Sequence, residues 1–161
     1  MTQIRQMSRF VSVVAVGLTL AFTSTAFAAS NSPFIGTWKM NVAKSKSSAA
    51  LPQSFTYVVE AAGAGIKTTF DSVSAQGVKE HGFYTVLFDG KPYPNIGSPR
   101  FSSIALTLVN ANSFTSVSKG KTTTGNGTTV ISVDGKTRTA KTIHKNADGT
   151  TVTMTSVYEK Q

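Results

Sequence analysis

From Gly36 to the C-terminus, apolar and polar residues alternate with a period of two, and no stretch sustains a helical period. The alternation predicts a succession of short strands. Residues 36–41 form the first, with Trp38 and Met40 on one face and Thr37 and Lys39 on the other. Residues 54–62 carry Phe55, Tyr57 and Val59 on one face, and residues 66–73 carry Ile66, Thr68 and Phe70. In residues 79–88 the predicted inner face is Tyr84, Val86 and Phe88, which turns His81, Phe83 and Leu87 outward. Further strands are expected at 104–109 (Ile104, Leu106 and Leu108 inward), 113–119, 128–133, 136–145 and 150–160. The last of these aligns Val152, Met154, Ser156 and Tyr158.

Turn chemistry separates the strands. Gly63-Ala64-Gly65, Gln76-Gly77, Ala111-Asn112, Asp134-Gly135 and Asp148-Gly149 are turn signals. Asp89-Gly90 is expected to make a two-residue type I′ hairpin, which needs positive φ at both central residues. Residues 42–53 read as a loop or one short helical turn, and residues 120–127 as a Gly/Thr/Asn-rich turn region. Residues 91–100 hold three prolines and predict a loop or a broken edge segment. Tight turns make neighbouring strands antiparallel. A single open sheet of this many strands would expose two edges and an apolar face. The expected fold is therefore all-β: an antiparallel up-and-down barrel of about 8–10 strands, with a two-sheet sandwich as the alternative.

The first residues change the picture. Arg5 and Arg9, an apolar run over residues 10–22, and Ala26-Phe27-Ala28 have the order of a secretory signal peptide. The run is too short to span a bilayer, which takes about 20 apolar residues. Residues 1–28 are thus expected to be a cleaved address and residues 29–161 the barrel domain, with a periplasmic or secreted destination. Cleavage removes two of the 16 basic residues and none of the seven acids, leaving 133 residues at +7. The sequence has no cysteine, which excludes disulfides, thiolate metal sites and a thiol nucleophile. The fold must rely on its core and its backbone hydrogen bonds.

Phe34-Ile35-Gly36-Thr37-Trp38-Lys39-Met40 resembles the N-terminal Gly-x-Trp motif of lipocalins and fatty-acid-binding proteins, the calycin group. The string from Gly36 to Lys46, Phe88-Asp89-Gly90-Lys91-Pro92-Tyr93-Pro94, Val133-Asp134-Gly135-Lys136-Thr137 and the ending Val157-Tyr158-Glu159-Lys160-Gln161 are similar to a family of small secreted bacterial proteins. That family looks lipocalin-like, and its function is largely unassigned. The resemblance covers essentially the whole chain after the signal segment. It implies that Trp38 plugs the closed end of a barrel. In lipocalins an Arg near the end of the barrel packs over that Trp as a cation–π pair. The last strand here has no Arg, and Lys160 is its only basic residue.

Candidate chemistry is sparse. No nucleophile elbow, zinc-helix motif or phosphate loop is present, and Gly125-Asn126-Gly127 fails the dinucleotide fingerprint. Two histidines, His81 and His144, make no recognisable metal or acid–base set with seven scattered acids. Asp89, Asp134 and Asp148 precede glycines as turn formers, and Glu60, Glu80 and Glu159 are expected on outward faces. No catalytic residue, metal or cofactor is expected. Arg138 is grouped with Lys44, Lys46, Lys119, Lys121, Lys136, Lys141 and Lys145 as a basic flank. With no aromatic residues interleaved for base stacking, that flank argues against nucleic acid. It is compatible with weak association with anionic envelope surfaces or an acidic ligand.

The candidate binding residues are the inward aromatics Tyr57, Phe70, Tyr84, Phe88 and Tyr158, with Arg100 at the rim. The expected function is binding of a small, partly apolar or anionic ligand inside the barrel. Alternatives are a small-molecule isomerase or hydrolase working at the barrel mouth, and a ligand-free structural protein of the envelope.

Overall fold

A computed structural model of the chain describes residues 32–161, and the signal-peptide assignment lies outside those residues. The described chain is all-β apart from one 3₁₀ turn at Val42–Lys44. Strands β1 (Gly36–Met40), β2 (Lys46–Ser47), β3 (Ser54–Ala62), β4 (Gly65–Val73), β5 (Lys79–Val86), β6 (Tyr93–Pro94), β7 (Ser103–Asn110), β8 (Ser113–Lys119), β9 (Thr123–Ile131), β10 (Thr137–Asn146) and β11 (Thr151–Lys160) make one antiparallel sheet. Ten of them follow the order β5-β4-β3-β1-β11-β10-β9-β8-β7-β6, so the first and last strands are neighbours. The sheet curls back on itself. Phe83 of β5 exchanges two backbone hydrogen bonds of 2.9 Å with Ile96, just past β6, and nearly closes the ring. The result is a lipocalin-like up-and-down barrel.

β1 and β2 lie along the same edge of β11, interrupted by the 3₁₀ turn. The break leaves no ladder group orphaned there. Asn41 N donates to Val157 O at 2.8 Å, and the Ser45 hydroxyl accepts from Val157 N at 3.0 Å. Asn41 Oδ1 caps the turn by accepting from Lys44 N at 3.0 Å.

Three hairpin turns share one geometry. Gly77, Gly135 and Gly149 each have positive φ, and each donates its N–H to the carbonyl three residues back. That is a type I turn closed by a left-handed glycine, which suits the twist of the strands. Asp134 and Asp148 steady their turns by accepting from Lys136 N and Thr150 N. No non-glycine residue has positive φ among the described residues, so the type I′ turn expected at Asp89-Gly90 does not form. Gly90 N instead donates to Leu106 O at 2.8 Å, and the segment tacks β5's continuation onto β7. The expected turn over residues 120–127 is also corrected. β9 begins at Thr123, because Gly125 and Gly127 stand at positions where the inner face needs small residues.

The closed end is the core. Trp38 is fully buried, and its indole N–H donates to Phe34 O at 2.8 Å. Phe34, Phe88 and Phe114 form an aromatic triad with centroids 5.0–5.6 Å apart. Val59, Ile66, Val86, Leu106 and Ile131 complete the floor. Lys160 takes the place of the missing Arg: its Nζ lies 5.2 Å from the Trp38 ring centroid. Gly36 makes room for it. A Cβ there would stand 2.5 Å from Lys160 Cε, and its φ of 132° already favours glycine.

Candidate functional site

Above this floor the barrel encloses a cavity of about 560 Å³, the size of a site for one small organic molecule. A wider hollow of about 810 Å³ lies on the outer wall between Lys46 and Lys141. It is shallow, open to solvent and holds no buried charge, so the interior cavity is the candidate site.

Inward positions of nearly every strand line it. β3 contributes Phe55 and Tyr57, β4 Phe70 and Ser72, β5 Glu80 and Tyr84, and β11 Val152, Met154, Ser156 and Tyr158. β8 adds Ser116 and Ser118, and β10 adds Arg138, Ala140, Thr142 and His144. The mouth is framed by Ala49, Ala50 and Pro52 on one side and by Asn95, Ser98, Arg100 and Phe101 on another.

Of the residues chosen from the sequence, Tyr57, Phe70, Tyr84 and Tyr158 line the cavity, and Arg100 stands exposed at its mouth. Phe88 does not reach the cavity. It follows β5, where the chain crosses beneath the barrel, and it packs into the floor triad. His81 is on the outer wall, paired with Asp71 across the β4–β5 ladder at 2.7 Å. His144 faces inward near the mouth, with Phe101 edge-on at 5.3 Å. Burial, reinforced by the charge of Arg100, lowers its pKa below the ordinary histidine value. Among the described residues no three His, Asp or Glu side chains cluster to hold a metal.

The residue that the sequence reading misplaced is Arg138. It belongs to no surface flank: it is 7% exposed, and its guanidinium lies inside the barrel. The guanidinium carbon is 4.5 Å from the Tyr57 ring centroid, 5.6 Å from that of Tyr158 and 5.9 Å from that of Phe114. No carboxylate pairs with it among the described residues, and its Nε is buried without a hydrogen-bond partner. Parity along β10 carried the signal. Arg138, Ala140, Thr142 and His144 share one face, while Lys141, Ile143 and Lys145 share the other. Glu80 needs the same correction. It has the parity of Tyr84 and turns inward at the mouth, where it accepts a long hydrogen bond from the Ser72 hydroxyl.

The site is therefore a hollow with aromatic walls and a deep, fixed positive charge. Burial, with Tyr158 beside it, holds the Tyr57 phenol well above its ordinary pKa, and burial raises Tyr158 as well. Both phenols stay protonated at neutral pH. They can donate hydrogen bonds but cannot neutralise Arg138.

A scan against protein-family models finds no match, and a search of the curated proteins finds none either. Solved structures do match. An S-type phycobiliprotein lyase, CPES, from Guillardia theta aligns with TM-score 0.54 and 12% identity, over 80% of this chain and 89% of that one. The zebrafish ileal bile acid-binding protein, solved with cholic acid, aligns with TM-score 0.48 and 14% identity, over 81% of this chain and 100% of that one. A mutant of the fluorescent protein UnaG aligns with TM-score 0.46 and 11% identity, over 79% and 95% of the two chains. At 12% identity the likeness to the lyase is one of fold. What this chain shares with it is an antiparallel barrel, here of lipocalin-like form and hollow above a Trp38 floor.

Proposed function

We propose that the chain is a secreted or periplasmic barrel protein that binds one small, partly apolar acid in its interior. Arg138 carries the reading. A guanidinium is always charged at neutral pH, and burying it without a carboxylate is costly unless an anion completes the site. The rings of Tyr57 and Tyr158 pack against the same guanidinium, and their phenols are neutral. The aromatic and aliphatic lining would hold the apolar part of the ligand.

The destination rests on the signal-like first 28 residues and on the resemblance to small secreted bacterial proteins. Exposed Lys119, Lys141 and Lys145 support weak association with anionic envelope surfaces. The cavity counts against a solid-cored structural protein.

Native mass spectrometry of protein taken from its own source tests the reading. The expected result is a co-purifying acid of a few hundred daltons that Arg138→Met no longer retains. Retention of the same molecule by Arg138→Met would overturn it.

A further inference from the structure

The cavity has two unlike walls. On one side β11, β3, β4 and β5 turn rings inward. Phe55 stands 4.7 Å from Tyr57 and 6.1 Å from Phe70, the latter pair stacked with planes 30° apart, and Tyr158 is 5.4 Å from Tyr57. On the other side, above the Phe114 ring of the floor, β8, β9 and β10 turn small hydroxyl residues inward, Ser116, Ser118, Thr129 and Thr142, alongside Arg138, Ala140 and His144. The ladder sets Ser116, Gly127 and Thr142 side by side in one row. Gly127 contributes no side chain between them. A Cβ there would stand 2.8 Å from Ser116 Oγ and 3.0 Å from Thr142 Cγ2. Ser116 Oγ and Thr142 Cγ2 close over the glycine from the two sides.

One hydroxyl of that second wall is unsatisfied: Thr142 Oγ1 is buried with no hydrogen-bond partner. Asn95 Oδ1, on the segment after β6 at the mouth, is buried and unpaired as well. Buried polar atoms are nearly always paired, and an unpaired one marks a place where a partner belongs. An acyl chain would suit the rings but leave the hydroxyl wall facing methylenes. A flat molecule with oxygens along one edge matches both sides.

We propose that the ligand of this cavity is a flat, oxygen-rich aromatic acid: ring face toward Phe55, Phe70 and Tyr158, edge oxygens at Thr142 and Ser116, and acid group at Arg138. The proposal rests on the reading of Arg138 as an anion site and adds the chemical class of the ligand. Selectivity follows from the general asymmetry of polar recognition. A pocket that hydrogen-bonds a ligand's hydroxyl rejects the analogue without it far more strongly than an apolar pocket rejects one methylene.

The test is calorimetric titration of the folded protein with two probes, rhein (a planar dihydroxyanthraquinone carboxylic acid) and palmitate. Three proteins are compared: the wild-type chain, Thr142→Val and Arg138→Met. Thr142→Val keeps the branched side-chain shape and replaces the hydroxyl by a methyl, and its palmitate binding doubles as the control for folding. Wild type is expected to bind rhein at least about tenfold tighter than palmitate. Thr142→Val should weaken rhein about five- to tenfold and leave palmitate unchanged or tighter. Arg138→Met should weaken both acids. Palmitate equal to or tighter than rhein in wild type, or no effect of Thr142→Val, overturns the oxygen-rich ligand while leaving the anion site standing. Indifference of both acids to Arg138→Met overturns the anion site and this proposal with it, as does failure of wild type to bind either acid.

Discussion

Single residues set the chemistry of the barrel, and Arg138 sets most of it. Its positive charge is buried among the faces of Tyr57, Tyr158 and Phe114, which return about 0.5–2 kcal/mol each at best, against a desolvation cost of several. Arg138→Met in the ligand-free protein should therefore leave stability unchanged or raise it by about 1–3 kcal/mol, read from the urea midpoint. A clear loss of stability would assign Arg138 to the core instead of the ligand. His144 gives a second expectation, through pH. Its folded pKa lies below the ordinary 6.5, so the unfolded chain takes up the proton first. Stability should fall as pH drops below about 6.5 toward the folded pKa, and His144→Gln should flatten that slope in thermal melts. Asp89, Asp134 and Asp148 also have lowered pKa values, from backbone and side-chain hydrogen bonds, but their stabilisation is lost only below the ordinary carboxylate range near 3.8. The losses set in at different pH, just below 6.5 for His144 and just below 3.8 for the aspartates, and an unchanged slope just below pH 6.5 in His144→Gln would contradict the assignment. The sequence held the position of Arg138 in its alternation. It was lost among lysines because a cationic residue is ordinarily read as solvated, and only the opposite parity of Lys141 and Lys145 tells against that.

At the scale of strands, alternation made most of the barrel legible. β3 and β8 run over the residues that their pattern marks, and the inward order of Tyr84, Val86, Leu106 and Ser156 is the one the period of two requires. The exceptions at β9 and at the barrel seam share one physical origin: glycine, which carries no hydropathy signal. Gly125 and Gly127 read as turn residues yet sit inside β9, because His144, Phe101, Ser116 and Thr142 crowd the space above them. Gly82 and Gly97 read as nothing in particular yet lock the barrel seam. A Cβ on Gly82 would lie 2.3 Å from Ile96 O and 2.4 Å from Phe70 Cζ, and one on Gly97 would lie 2.3 Å from His81 O. Contacts of that kind arise only once β5 meets the segment after β6, two places far apart in the alternation, so no local pattern announces them. Gly82→Ala should cost about 1–3 kcal/mol through overpacking, measured by urea denaturation. A Gly82→Ala protein as stable as wild type would mean that the seam is looser than its backbone contacts imply.

For the whole molecule, the unequal closure of the ring decides how a ligand enters and what it changes. Six of its junctions are held by extended ladders, such as the nine paired positions between β10 and β11, and β1 is paired at four positions with β3 and at three with β11. β6 is itself held to β7 at only two paired positions. Between β5 and the segment after β6 there is one bridge, Phe83 with Ile96, backed by Gly90 N to Leu106 O. Local opening follows the number of backbone bonds and packed side chains that must be broken together. The seam should therefore open more readily than any other wall. It also borders the cavity: Tyr84 lies on one side of it, and Asn95 and Ile104 on the other. Hydrogen exchange read by mass spectrometry should show peptides covering residues 79–86 and 93–104 exchanging well ahead of those covering 137–146 and 151–160. A saturating acid ligand fills the cavity that Tyr84 borders on one side of the seam and Asn95 and Ile104 on the other. It should slow the first pair strongly and leave the second, already protected, almost unchanged. If protection were even around the ring, or if ligand slowed β10 and β11 as much as β5, the seam would be no weaker than the ladders and entry would have to be through the mouth alone. If the asymmetry is found, the same few backbone bonds that leave this sheet just short of closed also give its interior a way to exchange what it holds.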